Sequence, residues 1–273
     1  MKYIDKTSQK SKLKAVRLDN WVKDWCKRYP KRKPNYKEDF RKTALNNYSR
    51  TDLYQDLWDE QNGFCCYCGQ SIPHPLVQSG TASVEHIVFQ KISKNGEDLT
   101  YANMILSCMG KEHEEIDFGK INFLSNKYFH CNLKRGSDSK TIIDPTNTQY
   151  NTSEKDCWRL FNYIHDFNEL VCEIKPKRSV DNLTKDTIEV LGLNCDFLRR
   201  KRGKVYSMYL NQFLYSGDND YDDGSKRGKI GKAERNTQEK VEYFKKELNF
   251  SRPFCSMNYA IMQHYLEINE LKI

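Results

Sequence analysis

The chain has 273 residues, of which 38% are hydrophobic, 12% aromatic and 30% charged, and its formal net charge is +8. This is enough material for one or two domains with a buried core, and the aromatic content argues against a disordered chain. No run of about 20 apolar residues is present, which excludes an ordinary membrane-spanning helix.

The opening Met1-Lys2-Tyr3-Ile4-Asp5-Lys6 has no apolar stretch of the secretory kind, so the expected location is the cytoplasm. Ten cysteines in a reducing compartment point to metal before disulfides where they cluster. Charge is uneven along the chain. Residues 1–50 carry 16 Lys/Arg against five Asp/Glu, a net of +11, and the other 223 residues carry a net of −3. This basic N-terminal segment can neutralise phosphates and release counterions, which makes nucleic acid a candidate partner. Its spacing predicts a helix over 19–28, interrupted by Pro30 and Pro34. Trp21 and Trp25, four apart on that helix, are expected to pack against protein rather than against bases.

Residues 51–140 form the second region. Thr51 or Asp52 is placed to cap a helix with the apolar stripe Leu53, Tyr54, Leu57 and Trp58, ending at Asn62-Gly63. Phe64-Cys65-Cys66-Tyr67-Cys68-Gly69 follows. Two thiolates at C-x-x-C spacing can face one metal, and the glycine permits the turn. A tetrahedral zinc needs two further ligands, for which Cys108 and Cys131 are the candidates, with His113, His130 and Cys66 as substitutes. A redox pair is the competing reading of one C-x-x-C, but the flanks show no βαβ pattern. Ser83-Val84-Glu85-His86-Ile87-Val88-Phe89 and Tyr101-Ala102-Asn103-Met104-Ile105-Leu106-Ser107-Cys108 both read as strands. Between Cys108 and Cys131 lie 22 residues, including Glu112, His113, Glu114, Glu115 and Asp117. This insertion is either a surface excursion or a contact loop.

Residues 141–273 read as mostly helical, with helical spacing over 156–169, 184–204 and 238–272. Between the last two, 216–225 reads as a loop. Asp218, Asp220 and Asp222 in it suggest a calcium loop, but the downstream glutamate of an EF-hand is absent. The expected fold class is therefore α+β, mostly helical. Cys26, Cys157, Cys172, Cys195 and Cys255 are scattered and read as core.

Taken together, the C-x-x-C of Cys65 and Cys68, Glu85-His86, Asn103-Met104-Ile105-Leu106-Ser107-Cys108 and Cys131-Asn132-Leu133-Lys134 resemble an HNH endonuclease of the zinc-bearing kind. Ile142-Ile143-Asp144-Pro145, Phe161-Asn162-Tyr163 and the stretch Thr187 to Asn194 followed by Arg199-Arg200 resemble the tail of PtuB-type HNH proteins of Septu and retron-associated antiphage systems. The resemblance covers about residues 51–205. It implies a zinc-stapled ββα-metal core and a metal-dependent endonuclease. His86 would be the general base. Glu85 and Asn132 would ligate one Mg²⁺ or similar divalent ion, and Asn103 would hold the loop and His86. Cys65, Cys68, Cys108 and Cys131 would hold a structural zinc, and Lys134 and Arg135 would contact backbone phosphates. Many HNH proteins have Asp where Glu85 stands, and their second pair of cysteines lies closer together. The resemblance also implies partners: a nucleic-acid substrate, a PtuA-like ATPase and, in some systems, a reverse transcriptase with its RNA–DNA hybrid. The chain has no G-x-x-x-x-G-K-[ST] pattern of its own. The competing functions are a non-catalytic zinc module that binds nucleic acid or a partner, and a redox or metal-storage protein.

Overall fold

A computed structural model describes residues 1, 3–74, 81–88, 97–110, 129–136, 138, 140–150, 160–166, 168–216 and 233–234. His113 and the rest of 111–128, Cys157, Cys255, the 217–225 part of the acidic loop and the expected helix at 238–272 lie outside these residues. The fold is α+β: five helices and three two-stranded antiparallel sheets among the described residues.

The first helix, α1 (Gln9–Arg28), starts ten residues earlier than the sequence suggests. The Ser8 hydroxyl caps it by accepting from the Ser11 amide, and the buried Lys6–Glu60 ion pair and a Ser11–Glu60 hydrogen bond tie its start to α2 (Arg50–Glu60). Its inner stripe is Ser11, Lys14, Leu18, Trp21 and Trp25, and its outer face keeps the other basic residues in water. As expected, Trp21 and Trp25 stack on each other at 5.4 Å, and Trp21 meets the edge of Phe40 at 5.0 Å. Helix α2 is capped by Ser49 rather than Thr51 or Asp52, in a reciprocal pair with Asp52 at the third position. Leu53 and Leu57 are fully buried, and the helix stops where Asn62 and Gly63 take positive φ.

Next comes a compact ββα unit. Strand β1 (Ala82–His86) pairs antiparallel with β2 (Met104–Cys108), setting Glu85 opposite Ile105 and His86 opposite Met104. The short helix α3 (Cys131–Arg135) packs on β2. The Gln61 side chain locks α2 to this hairpin: its amide donates to the Leu106 carbonyl at 2.7 Å and its oxygen accepts from the Leu106 amide at 2.7 Å.

The region after 141 needs a correction. Helical spacing over 156–169 does not produce a helix at 161–166. Instead β3 (Phe161–Asp166) pairs with β4 (Val171–Pro176) as a hairpin. The alternation is strand-like, with Asn162, Ile164 and Asp166 outward and Phe161 buried. The Asp166 carboxylate accepts from the Asn168 and Glu169 amides and so builds the turn. Two helices follow, α4 (Asn182–Val190) and α5 (Asp196–Leu214), where one continuous helix over 184–204 is expected. Gly192, at φ +56, breaks the run. Asn194 in the turn uses both amide atoms on the Ile174 backbone, at 2.8 Å each, and so docks the turn on β4. No helix among the described residues is long and apolar enough to cross a membrane.

Candidate metal centre and adjoining polar face

The C-x-x-C segment folds as a tight knuckle. The Cys65 amide donates to the Gln70 carbonyl at 2.8 Å and the Gly69 amide to the Cys65 carbonyl at 3.0 Å, with Gly69 at φ +75. This turns Cys65 and Cys68 the same way. Cys108 ends β2 and Cys131 begins α3, so strand and helix deliver the other two thiols. All four are buried, and their sulfurs lie within 4.8 Å of one another. Cys65 Sγ is 3.8 Å from Cys131 Sγ, and Cys68 Sγ is 3.8 Å from Cys108 Sγ. Disulfide sulfurs would be ~2.05 Å apart. Zn–S bonds of ~2.3 Å at tetrahedral angles put sulfurs about 3.8 Å apart. The four cysteines therefore form a closed cluster that can hold one tetrahedral, thiophilic ion. Burial opposes ionisation of Cys65, but its hydrogen-bonding with Cys108, Cys131, Cys66 and Cys68 outweighs it and holds its thiol well below the usual range.

Cys66 and His130 belong to the surroundings of the cluster. The Cys66 amide donates to Leu106 at 3.1 Å, and burial pushes its thiol well up. The ring of His130 is fully buried and stacks on Phe197 at 5.6 Å. Cys131 sits at φ +50, an unusual conformation for a residue with a side chain, and its amide donates to the Leu191 carbonyl at 2.8 Å. The loops on either side fit closely. A Cβ at Gly110 would lie 1.6 Å from the His130 carbonyl oxygen, and one at Gly192 would lie 2.6 Å from that of Phe129. Residues 129–131 are thus clamped between the end of β2 and the α4–α5 turn.

A second set of polar groups flanks this cluster. The Glu85 side chain, 11% exposed, points to α3. There Asn132 Nδ2 donates to Glu85 Oε1, and Arg135 donates to Glu85 Oε2 at 3.3 Å. The same guanidinium nitrogen donates to the Tyr67 hydroxyl at 2.6 Å. Tyr67 lies between the knuckle cysteines, so one buried chain of hydrogen bonds runs from the knuckle to the carboxylate. Burial raises the Glu85 carboxyl above the usual range, and the Arg135 charge opposes that rise. Arg135 is 3% exposed and faces inward.

His86 is the next residue on β1. Strand alternation turns it to the opposite side from Glu85. Its ring meets the edge of Tyr36 at 4.8 Å, and its Nε2 lies 3.0 Å from the Asp98 carbonyl oxygen. A carbonyl only accepts, so Nε2 carries the hydrogen, and the neutral ring has its lone pair on Nδ1. Burial lowers the His86 pKa and so favours that neutral ring. The Asn103 side chain clasps the chain just after β1, accepting from the Val88 amide at 2.7 Å and donating to its carbonyl at 3.2 Å. The Ile87 amide also donates to the Asn103 carbonyl at 3.0 Å.

Glu85 and Asn132 are thus brought into direct contact. Asn103 sits on the segment that follows His86, and His86 lies on the other side of the strand. Lys134 is partly exposed on α3. The sequence reading did not foresee the Tyr67–Arg135–Glu85 chain or the role of the Asp98 carbonyl. One signal was present: Asn132 and Arg135 are three apart on a helix and so share a side. No protein-family model, no curated protein and no solved structure matches the chain.

Proposed function

We propose that the chain is a metal-dependent endonuclease of the HNH type that hydrolyses phosphodiester bonds in nucleic acid. The carrying observation is the ββα unit tied at its base by four cysteines, with the Glu85 carboxylate and the Asn132 amide in contact across it. The cysteine cluster suits zinc, since thiolate donors in tetrahedral array favour it and a closed set of four marks a structural role. Glu85 with Asn132 offers hard oxygen donors to a second ion. A half-turn of the amide presents Oδ1 in place of Nδ2, and that pair suits Mg²⁺. Such an ion supplies charge stabilisation to the phosphate and the departing oxygen.

The protein's own part follows from the residues. In this reading His86 takes the proton of the attacking water at Nδ1, because Nε2–H is committed to the Asp98 carbonyl. Its side chain leaves β1 on the side opposite Glu85, so the water would be shared around the end of the strand, which stops at His86. Asn103 fixes the backbone after His86 and with it the ring's approach. Arg135 and Tyr67 hold the Glu85 carboxylate in one orientation. The helices after residue 141 and the basic N-terminal segment offer surfaces for a PtuA-like ATPase, for nucleic acid and, in a retron-like system, for a reverse transcriptase with its RNA–DNA hybrid. In this reading the protein is the effector of an antiphage defence system.

The test is cleavage of plasmid DNA and total RNA by the purified chain, alone and with a PtuA-like ATPase, with and without Mg²⁺. Divalent-dependent cleavage that disappears in His86→Ala supports the proposal. Binding that leaves both nucleic acids intact under all these conditions points to a non-catalytic zinc module.

A further inference from the structure

A cleft opens on the side of the hairpin that bears Glu85. Alternation puts Ile87 on the same face as Glu85, and Ile105 is the cross-strand partner of Glu85. The cleft has a volume of about 280 Å³. Ile87, Val88 and Ile105 line it from the hairpin and Ile142 from the facing segment, and Arg135 and Lys140 provide its cations. The facing segment is held in place from two directions. The Ile4 amide donates to the Pro145 carbonyl at 2.7 Å, and the Ile143 amide to the Thr187 hydroxyl at 2.9 Å. The site is therefore preformed, as ligand sites usually are.

We propose that this cleft takes one unpaired nucleobase beside the scissile phosphate, so that the preferred substrate is single-stranded nucleic acid. The inference rests on the nuclease reading and names its substrate class. Size is the first argument: about 280 Å³ falls just under the usual ~300–1,000 Å³ of small-molecule sites, which suits one base rather than a larger ligand. Chemistry is the second. Aliphatic walls suit the flat faces of a base taken out of its stack, whereas a base within a duplex has those faces covered. Charge is the third. Exposed Lys140 stands at the cleft to meet a phosphate, and the wall carboxylate among the described residues, Asp144, already accepts from the Thr146 amide and hydroxyl at 2.8 and 2.7 Å. Position is the fourth. Arg135 both lines the cleft and bonds Glu85, so an occupant lies next to the Glu85–Asn132 pair.

The experiment measures binding by fluorescence anisotropy in the full-length His86→Ala background, which keeps the nucleic acid whole. The probes are a labelled 12-nucleotide single strand, as DNA and as RNA, and the same DNA as a duplex. Stacking of one base is worth roughly 5- to 150-fold in affinity. The single strand is therefore expected to bind at least ~5-fold tighter than the duplex. Val88→Glu, which alters an exposed wall residue, should remove most of that advantage and leave duplex binding alone. Lys140→Glu should weaken single-strand binding as well. Equal binding of strand and duplex, or an unchanged single-strand affinity in both variants, overturns the proposal. Zinc content and thermal melting report folding, and should Val88→Glu fail on them, Val88→Ser with Lys140→Glu makes the same comparison. Wild-type cleavage assayed in parallel separates the two readings. Cleavage without single-strand preference removes the cleft's role alone. Single-strand preference without any cleavage keeps the cleft and removes the nuclease.

Discussion

The four cysteines and the Glu85–Asn132–Arg135 group share one hairpin and one short helix, but they are built differently. The cysteines come from the knuckle, the end of β2 and the start of α3. Their soft donors are fully enclosed, and neighbouring backbone fits too closely for a Cβ at Gly110 or Gly192. The second group has hard oxygen donors, lies beside a cleft, and keeps Glu85 partly exposed. Structural metal sites are closed and catalytic ones keep a position open. The contrast suits the cysteines to a structural ion and, on the proposed function, the oxygen donors to chemistry, and each assignment can be broken separately.

The largest effect is expected at the cysteines. Purified protein should carry about one zinc per chain by elemental analysis. Cys65→Ser or Cys68→Ser should lower zinc content and stability together, because binding energy is folding energy at such a site. Loss of a metal belongs with single-site effects above ~4 kcal/mol. At ~2–4 °C per kcal/mol for a chain of this size, the midpoint should fall by ~8–16 °C. Cys66→Ser is the control, since its sulfur is outside the cluster, and it should keep its zinc. Full zinc in both ligand variants would remove the cluster from the account.

The chemistry comes next. His86→Ala should lower cleavage by ~10²–10⁴-fold with circular dichroism and zinc content unchanged. Glu85→Ala should instead raise the Mg²⁺ concentration needed for half-maximal rate. The pH profile adds a sign. Burial lowers the His86 pKa, so its neutral, base-competent form persists below the ordinary value. Activity is then lost only as pH falls through that lowered pKa, and the acid midpoint should lie below ~6.5. A midpoint at or above ~6.5 would exclude His86 as a base in this environment.

A smaller effect tests the link between the two groups. Tyr67→Phe removes the hydroxyl that accepts from Arg135. A hydrogen bond to a charged group is worth ~1.5–3 kcal/mol, so melting should fall by ~3–12 °C on the same scale. Zinc should stay, because no ligand changes. Zinc lost along with the hydroxyl would mean that the knuckle and the polar chain are one unit.

How much of this was legible in the sequence depends on distance along the chain. The C-x-x-C and the order Glu85-His86, Asn103, Cys108, Cys131-Asn132 could be read because each element is local and carries its own chemistry. Residue spacing could not decide between Cys66 and Cys131 as a ligand. That choice is made by the turn at Gly69, which brings Cys65 and Cys68 together with Cys108 and Cys131, while Cys66, whose amide donates to Leu106 of β2, stays outside the four. Contacts such as Tyr67–Arg135, 68 residues apart, have no local signature. The β3–β4 hairpin was misread because Phe161 and Ile164 fall at helical spacing. Ile164 in fact lies outward at 46% exposure, where strand alternation puts it and a core-facing helix would not. Helix α1 was read short because residues 9–18 are rich in Lys and poor in large apolar groups. Its start is fixed by the Ser8 cap, a local contact with the Ser11 amide, and by the ties to Glu60, which are long-range and have no local signature.

The smallest effect concerns the exposed lysines of the basic segment. On the proposed function its charge suits phosphate contact, and Lys31-Arg32-Lys33 is its densest run. The three side chains are not equivalent. Arg32 donates to the buried Asp39 carboxylate at 2.6 Å and lies over the Trp25 ring at 5.8 Å, so reversing it would remove the cation that pairs with Asp39 and disturb the aromatic stack. Lys31 and Lys33 are exposed. The clean experiment therefore reverses only these two, as Lys31→Glu with Lys33→Glu, and follows affinity against salt. If both contact phosphates, the slope of log K against log[salt] should fall by about 1.8 for duplex DNA or about 1.4 for a single strand. Cleavage at saturating substrate should stay near wild type, because no group of the Glu85 face is touched. A slope equal to wild type would take these lysines out of the phosphate path and leave Lys134 on α3 and Lys140 at the cleft as the next residues to reverse.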